Sequence, residues 1–197
     1  MFIPESLFKK EVFIFDFDMT LVDTSKGSAK AYKFAIEHAG GIFKEEELSE
    51  YMSEFLDATY FRIADAKISL NEFYSIFYEN SHKYIPSMSY FAQEVKDFLY
   101  ELKNAGKRLA IVTNKDNECV KRVLSYHKID IQMFEVVITC DCVKKKKPDA
   151  EGLLECLKVL NVKKENCLYI GDNNIDVEFA QNASVDSYIT NVYKYKD

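Results

Sequence analysis

Two acids one residue apart, Asp16 and Asp18, close the apolar run Val12-Phe13-Ile14-Phe15. Successive side chains of an extended chain point to opposite sides, so this spacing puts both carboxylates on one side and Phe17 on the other. Two carboxylates so close repel unless a cation, a shared proton or a polar shell offsets them. Other apolar runs end in polar groups too. Leu109-Ala110-Ile111-Val112 leads into Thr113 and Asn114, and Cys167-Leu168-Tyr169-Ile170 leads through Gly171 into Asp172, with Asp176 four residues on. Lys147, followed by Pro148, precedes a helical pattern. Carboxylates, a hydroxyl and an amide with a lysine nearby form an oxygen-rich set of the kind Mg²⁺ prefers, with water and phosphate completing the shell.

The elements that must carry these residues are legible in the apolar pattern. Val12–Phe15, Leu109–Val112, Val136–Ile138, Cys167–Ile170 and Ser187–Ile189 are too short for helices and rich in β-branched or aromatic residues, as buried strands are. Between them, Val95, Phe98, Leu99 and Leu102 follow helical spacing before Gly106; Val120, Val123, Leu124 and His127 repeat it. Leu153, Leu154, Leu157 and Leu160 repeat it again, with Asp149 as the expected N-cap. Alternation of strand and helix predicts an α/β fold with a doubly wound parallel sheet, Rossmann-like, helices covering both faces. Ligands of such sheets sit beyond the carboxyl ends of the strands, where the residues above fall.

One stretch interrupts the alternation. Between residues 21 and 87 there are only helical patterns, from Ser25 through Gly40-Gly41, from Glu45 to Ala66, and from Ser69, whose hydroxyl lies three residues before Glu72 as in a capping box. A crossover needs about a dozen residues. The expectation is an α-helical domain, 21–87, inserted after the first strand of a core formed by 1–20 and 88–197. Tyr51, Phe55, Phe73, Tyr74 and Phe77 should form its interior, and Arg62 and Lys67 should be exposed charges.

Four motifs in order, Asp16-Phe17-Asp18-Met19-Thr20, Val112-Thr113-Asn114, Lys146-Lys147-Pro148 and Gly171-Asp172-Asn173-Asn174-Ile175-Asp176, resemble the haloacid dehalogenase-like hydrolases, in particular the phosphoglycolate phosphatase-like branch with a helical cap. The resemblance spans Val12 to about Thr190. It implies a Mg²⁺-dependent phosphatase acting on a small phosphorylated metabolite, with Asp16 as nucleophile and Asp18 as general acid and base. It also implies Thr113, Asn114 and Lys147 as phosphate ligands, and Asp16, Asp18, Asp172 and Asp176 around the metal. Met19 departs from the glycine usual there, and the chain stops at Asp197, so the family's customary final helix is expected to be absent or very short. A phosphomutase acting on a sugar phosphate is the alternative of the same kind. A non-enzymatic phospho-receiver or scaffold module is the alternative of another class.

Composition limits the partners. The 197 residues carry 26 Lys and Arg against 32 Asp and Glu, net −6, which disfavours nucleic acid. Eighteen or more consecutive apolar residues occur nowhere, so no membrane span is expected. The odd, scattered cysteines, Cys119, Cys140, Cys142, Cys156 and Cys167, fit a reducing cytoplasmic setting as small buried hydrophobes. Charge and length leave monomer and homodimer equally open.

Overall fold

The computed structural model describes residues 3–193. In chain order the elements are α1 (Glu5–Phe8), β1 (Val12–Phe15), α2 (Ser25–His38), α3 (Leu48–Ser53), α4 (Leu56–Phe61), α5 (Leu70–Met88), α6 (Gln93–Asn104), β2 (Arg108–Val112), α7 (Asn117–Tyr126), β3 (Val136–Ile138), α8 (Glu151–Leu160), β4 (Cys167–Gly171), α9 (Asn174–Asn182) and β5 (Asp186–Ile189). The chain forms two compact units, residues 1–23 with 90–197, and residues 24–89.

The larger unit is built on a five-stranded parallel sheet in the order β3-β2-β1-β4-β5. The chain lays strands outward from β1 on one side, then returns to the other side for β4 and β5. The reversal opens a crevice at the carboxyl end of β1, the place where such sheets bind ligands. The inner strands β1 and β4 are buried along their whole length and β2 from Leu109 onward, as expected of a sheet sandwiched between helices, whereas the edge strand β5 is exposed or half-buried. Val12, Ile14, Ala110, Val112, Val136, Ile138, Cys167 and Tyr169 pack with Leu153, Cys156, Leu157 and Leu160 of α8 and Phe179 of α9. Their neighbours Phe13, Phe15, Leu109, Ile111, Leu168 and Ile170 point the other way and are equally buried, as are Val95, Phe98, Leu99 and Leu102 of α6. Gly106 ends the α6 turn at φ +73°, a left-handed conformation that costs glycine little.

Details differ from the sequence pattern. Leu154 is 50% exposed, and Cys156, one position from the expected stripe, takes the buried place. Asp149 sits one residue before the N-cap of α8, where its carboxylate accepts from Glu151 N–H at 3.0 Å. Cys119, Cys156 and Cys167 are buried as expected, but Cys140 is half-buried and Cys142 exposed, because the turn after β3 carries both out of the sheet. Residues 194–197, where a final helix would begin, lie outside the described residues. Among the described residues no helix is long and apolar enough to cross a membrane.

The smaller unit is all helical. α2 packs along α5, and Ala31, Tyr32, Ala35, Ile36, Tyr51, Leu56, Phe73 and Phe77 form its core. Phe55 is 47% exposed, because the expected helix 45–66 breaks at Glu54–Phe55 into α3 and α4. Ser69 caps α5 by accepting from Glu72 N–H at 3.2 Å. Arg62 is exposed and pairs with Glu50 and Glu54, and Lys67 is exposed.

Candidate active site

Asp16 continues β1 by one residue; its N–H donates to Ile170 O at 2.8 Å, which fixes the acid beside the end of β4. Phe17 is fully buried on the opposite side. The chain then folds back, with Leu21 and Val22 N–H both donating to Phe17 O and Met19 N–H donating to Val22 O. Met19 holds φ +58° at the apex of this turn, a left-handed backbone that costs a non-glycine residue about 1–2 kcal/mol. Asp18 stays partly exposed and pairs with Lys115, Nζ to Oδ2 at 3.0 Å.

Lys147 is the centre of the buried cluster. Its ammonium donates to Asp16 Oδ1 at 2.6 Å, to Asp176 Oδ1 at 2.8 Å and to the Tyr169 hydroxyl at 3.0 Å. The backbone around it is held by Asn114, whose carboxamide accepts from Lys147 N–H at 2.9 Å and donates to Lys147 O at 3.3 Å. Of the neighbouring lysines, Lys144 and Lys145 are exposed and Lys146 is half-buried, whereas Lys147 is buried. Thr113, buried at the end of β2, extends the β2–β3 ladder through its N–H to Ile138 O at 3.0 Å.

The acids after β4 have two tasks. Asp176 is the third residue of α9 and completes a capping box with Asn173. Its Oδ2 accepts from Asp172 N–H at 3.0 Å and Asn173 N–H at 3.3 Å, while Oδ1 accepts from Lys147 and from Tyr169. Asp176 therefore caps α9 and belongs to the buried cluster at the same time. Asp16, Asp172 and Asp176 are buried and each offers a carboxylate oxygen within 4.8 Å of the others. These are the oxygens that could hold a cation.

The charges follow from burial and partners. Burial drives the Asp16 carboxyl up to about 7, outweighing the pull of Lys147. Burial alone would also raise Asp176, but the charge and hydrogen bond of Lys147, with Asp172 N–H and the Tyr169 hydroxyl, hold it below its ordinary value. Burial would discharge Lys147, and Asp16 and Asp176 together outweigh it, so the ammonium is held above its ordinary range. Asp16 and Asp176 both bond the Lys147 ammonium, so one buried cation offsets the mutual repulsion of the two acids.

The sequence profile of the haloacid dehalogenase-like hydrolases matches residues 13–190. The chain belongs to that family. It is an enzyme, a phosphatase, and the non-enzymatic receiver and scaffold alternatives fall away. Among curated relatives it is 30% identical to the pyrophosphatase PpaX of Bacillus mycoides over 171 residues, 86% of this chain and 78% of the relative. Among solved structures it is 27% identical to a Bacteroides fragilis chain described as a haloacid dehalogenase-like hydrolase, with a TM-score of 0.82 over 95% of this chain and 92% of the other. A Thermotoga maritima chain described as a β-phosphoglucomutase is 26% identical, with a TM-score of 0.73 over 95% and 88%.

Within this family member, all seven sequence-derived candidates lie in the larger unit. Direct hydrogen bonds join Asp16, Lys147 and Asp176, Lys147 to Asn114, and Asp172 to Asp176. Asp18 is tied instead to Lys115, which the sequence pattern does not single out. Tyr169 is the other residue missed. A signal for it existed: a tyrosine inside a fully buried strand must find a partner for its hydroxyl, and this one stands three residues before Asp172.

Proposed function

We propose that the chain hydrolyses small phosphomonoesters or diphosphate in a Mg²⁺-dependent reaction through an aspartyl-phosphate on Asp16. The observation that carries this reading is the Lys147 ammonium bonded to Asp16 inside a buried acidic cluster at the carboxyl end of β1. An all-oxygen set of buried carboxylates fits a hard divalent cation. Asp16, the Asp18 carbonyl and Asp172 would hold Mg²⁺, which when bound neutralises negative charge so that a phosphate dianion can approach a carboxylate. Both oxygens of Asp176 are already engaged, so its role is to orient Lys147 and the backbone of Asp172.

The chain's own groups then divide the work. Asp16 attacks phosphorus, and the P–O bond to the leaving group breaks. Asp18 gives its proton to the departing oxygen and then takes one from the water that cleaves the aspartyl-phosphate. The Thr113 hydroxyl and Asn114 N–H hold the transferring oxygens, and Lys147 offsets their charge. The helical unit, residues 24–89, would supply the side chains that select the substrate.

Pyrophosphate belongs in the substrate class because the curated relative from Bacillus mycoides bears that activity in its name. The test is a panel of pyrophosphate, phosphoglycolate, sugar phosphates, nucleotides and an aryl phosphate, with and without Mg²⁺. Phosphate release that needs Mg²⁺ and disappears in Asp16→Asn supports the reading, and wild-type turnover in that variant overturns the nucleophile assignment. The likeness to the Thermotoga maritima chain favours a second reading, a phosphomutase. That enzyme would convert a sugar phosphate to its isomer instead of releasing free phosphate, and product analysis of the same incubations separates the two.

A further inference from the structure

Lysine has three N–H donors, and Lys147 spends all three inside the protein, on Asp16, Asp176 and the hydroxyl of Tyr169. Two of these acceptors are acids of the family motifs. The third is a neutral side chain that no motif contains. Tyr169 is fully buried on β4, and its ring stands edge-on to Phe179 with centroids 5.1 Å apart. Its hydroxyl lies 3.0 Å from Asp176 Oδ1 and 3.2 Å from Val112 O. Val112 ends β2, and in the sheet β1 separates β2 from β4. The phenol therefore reaches past the carboxyl end of β1, which carries Asp16, to the residue before Thr113.

We infer that Tyr169 is a positioning residue whose hydroxyl fixes the Lys147 ammonium relative to Asp16. The inference rests on the reading of Asp16 as nucleophile and deepens it. A phenol has one hydrogen and two lone pairs. Its hydrogen goes to Asp176 or to the Val112 carbonyl, and a lone pair receives Lys147, so both the donor and the acceptor capacity of the hydroxyl are used with the ammonium in its observed place. Burial, with the negative charge of Asp176 beside it, holds the phenol well above its ordinary range, so it remains a neutral donor. Without the hydroxyl, the two carboxylates alone pull on the ammonium. It would settle further onto Asp16 and Asp176, occupying the oxygen that must attack phosphorus. Thr113 and Asn114 N–H would still hold the phosphate, so the defect belongs in the chemical step and not in substrate binding.

The experiment uses the full chain with Tyr169→Phe, Tyr169→Leu, Lys147→Met and the Tyr169→Phe/Lys147→Met double variant. Tyr169→Phe keeps the ring against Phe179 and removes only the oxygen. Its kcat for Mg²⁺-dependent phosphate release is expected to fall about 10- to 100-fold, with KM changed less than about threefold. If Tyr169→Phe keeps wild-type kcat while Tyr169→Leu loses activity, the ring matters only for packing and the inference is overturned; an equal rise in KM overturns it as well. A second readout needs no turnover: the Tm drop caused by Tyr169→Phe should shrink by about half or more when Lys147 is already Met. An additive pair overturns the contact between hydroxyl and ammonium. A wild-type chain without turnover overturns the proposed function instead, and the stability cycle then decides whether the hydroxyl holds the ammonium.

Discussion

The Lys147 ammonium lies 2.6 Å from Asp16 Oδ1, with both side chains buried. The same ammonium lies 2.8 Å from Asp176 Oδ1, so one cation joins the acid after β1 to the acid at the start of α9. The sequence separates these residues widely, and the reversal of strand order brings them together.

Removing that cation should cost both folding and activity. In Lys147→Met, Asp16 and Asp176 would remain buried without their shared partner, a change that typically costs about 3–5 kcal/mol. Phosphate turnover should drop by about 10²- to 10³-fold, the usual scale for losing one preorganised charge-stabilising donor. Urea unfolding at about pH 8 and steady-state phosphate release measure the two effects. A variant as stable as the parent would mean that the acids relax into water.

Asp16 makes stability depend on pH with a sign opposite to that of ordinary carboxylates. Burial raises its carboxyl from 3.8 to about 7, with Lys147 opposing and Asp176 and Asp18 assisting. The folded state therefore holds a proton that the unfolded state has released. This contribution is fully present below the unfolded value near 4 and is lost as pH rises through about 7. In metal-free protein, the stability difference between Asp16→Asn and the parent should move in favour of the variant across that window, by at most about 1.4 kcal/mol per pH unit, and flatten above it. Urea melts of both proteins check this, and a trend in the other direction would show Lys147 prevailing over burial. Mg²⁺ binding needs the ionised carboxylate, so the Tm gain on adding Mg²⁺ should be larger at about pH 8 than at about pH 5.5.

The legible part of the site consists of residues at the ends of apolar runs. Asp16, Thr113 and Asp172 stand where a buried strand gives way to polar residues, and in a parallel sheet such ends share one rim. Lys147 is legible through its place before Pro148. The strand order is not legible, since five short apolar runs fit several orders equally well. Tyr169 is hidden because a strand buried on both faces reads as uniformly apolar, and its one polar atom does not alter the pattern. Lys115 is hidden because a lysine after a strand is ordinarily solvated, and only the fold brings Asp18 to it. Phe55 and Leu154 show the opposite error. Helical spacing defines a stripe, and its edge residues are buried only where a neighbour covers them.

Gly171 should tolerate no side chain. A Cβ there would overlap the Asp176 carboxyl, which cannot yield without giving up Lys147, Tyr169 and the N–H groups of Asp172 and Asn173. Gly171→Ala is expected to cost about 1–3 kcal/mol by overpacking and to lower turnover about 100-fold by displacing Asp176 and through it Lys147. Thermal melts and kcat of the variant test this; wild-type kcat would mean that Asp176 has no part in placing the lysine.

Tyr193 provides a test away from the acids. Its hydroxyl donates to Leu21 O at 2.7 Å and accepts from Ala92 N–H at 3.1 Å, and its side chain is buried. Leu21 and Ala92 flank the two connections by which the chain leaves and re-enters the larger unit, and Asp23 and Tyr90 pair between them through two backbone hydrogen bonds of 2.9 Å. Tyr193→Phe keeps the apolar ring and strands a buried N–H and C=O, a loss of about 1–3 kcal/mol. The loosening should be local first, because these bonds close a single pair of chain segments. The Asp23 and Tyr90 amides should therefore exchange with deuterium faster in the variant than in the parent, while those of β1 and β4 are slowed or sped only by the change in global stability. Unchanged exchange at Asp23 and Tyr90, with unchanged melting, would show that the backbone pair holds without the hydroxyl. Faster exchange confined to these two segments would identify Tyr193 as the residue that keeps the connections closed.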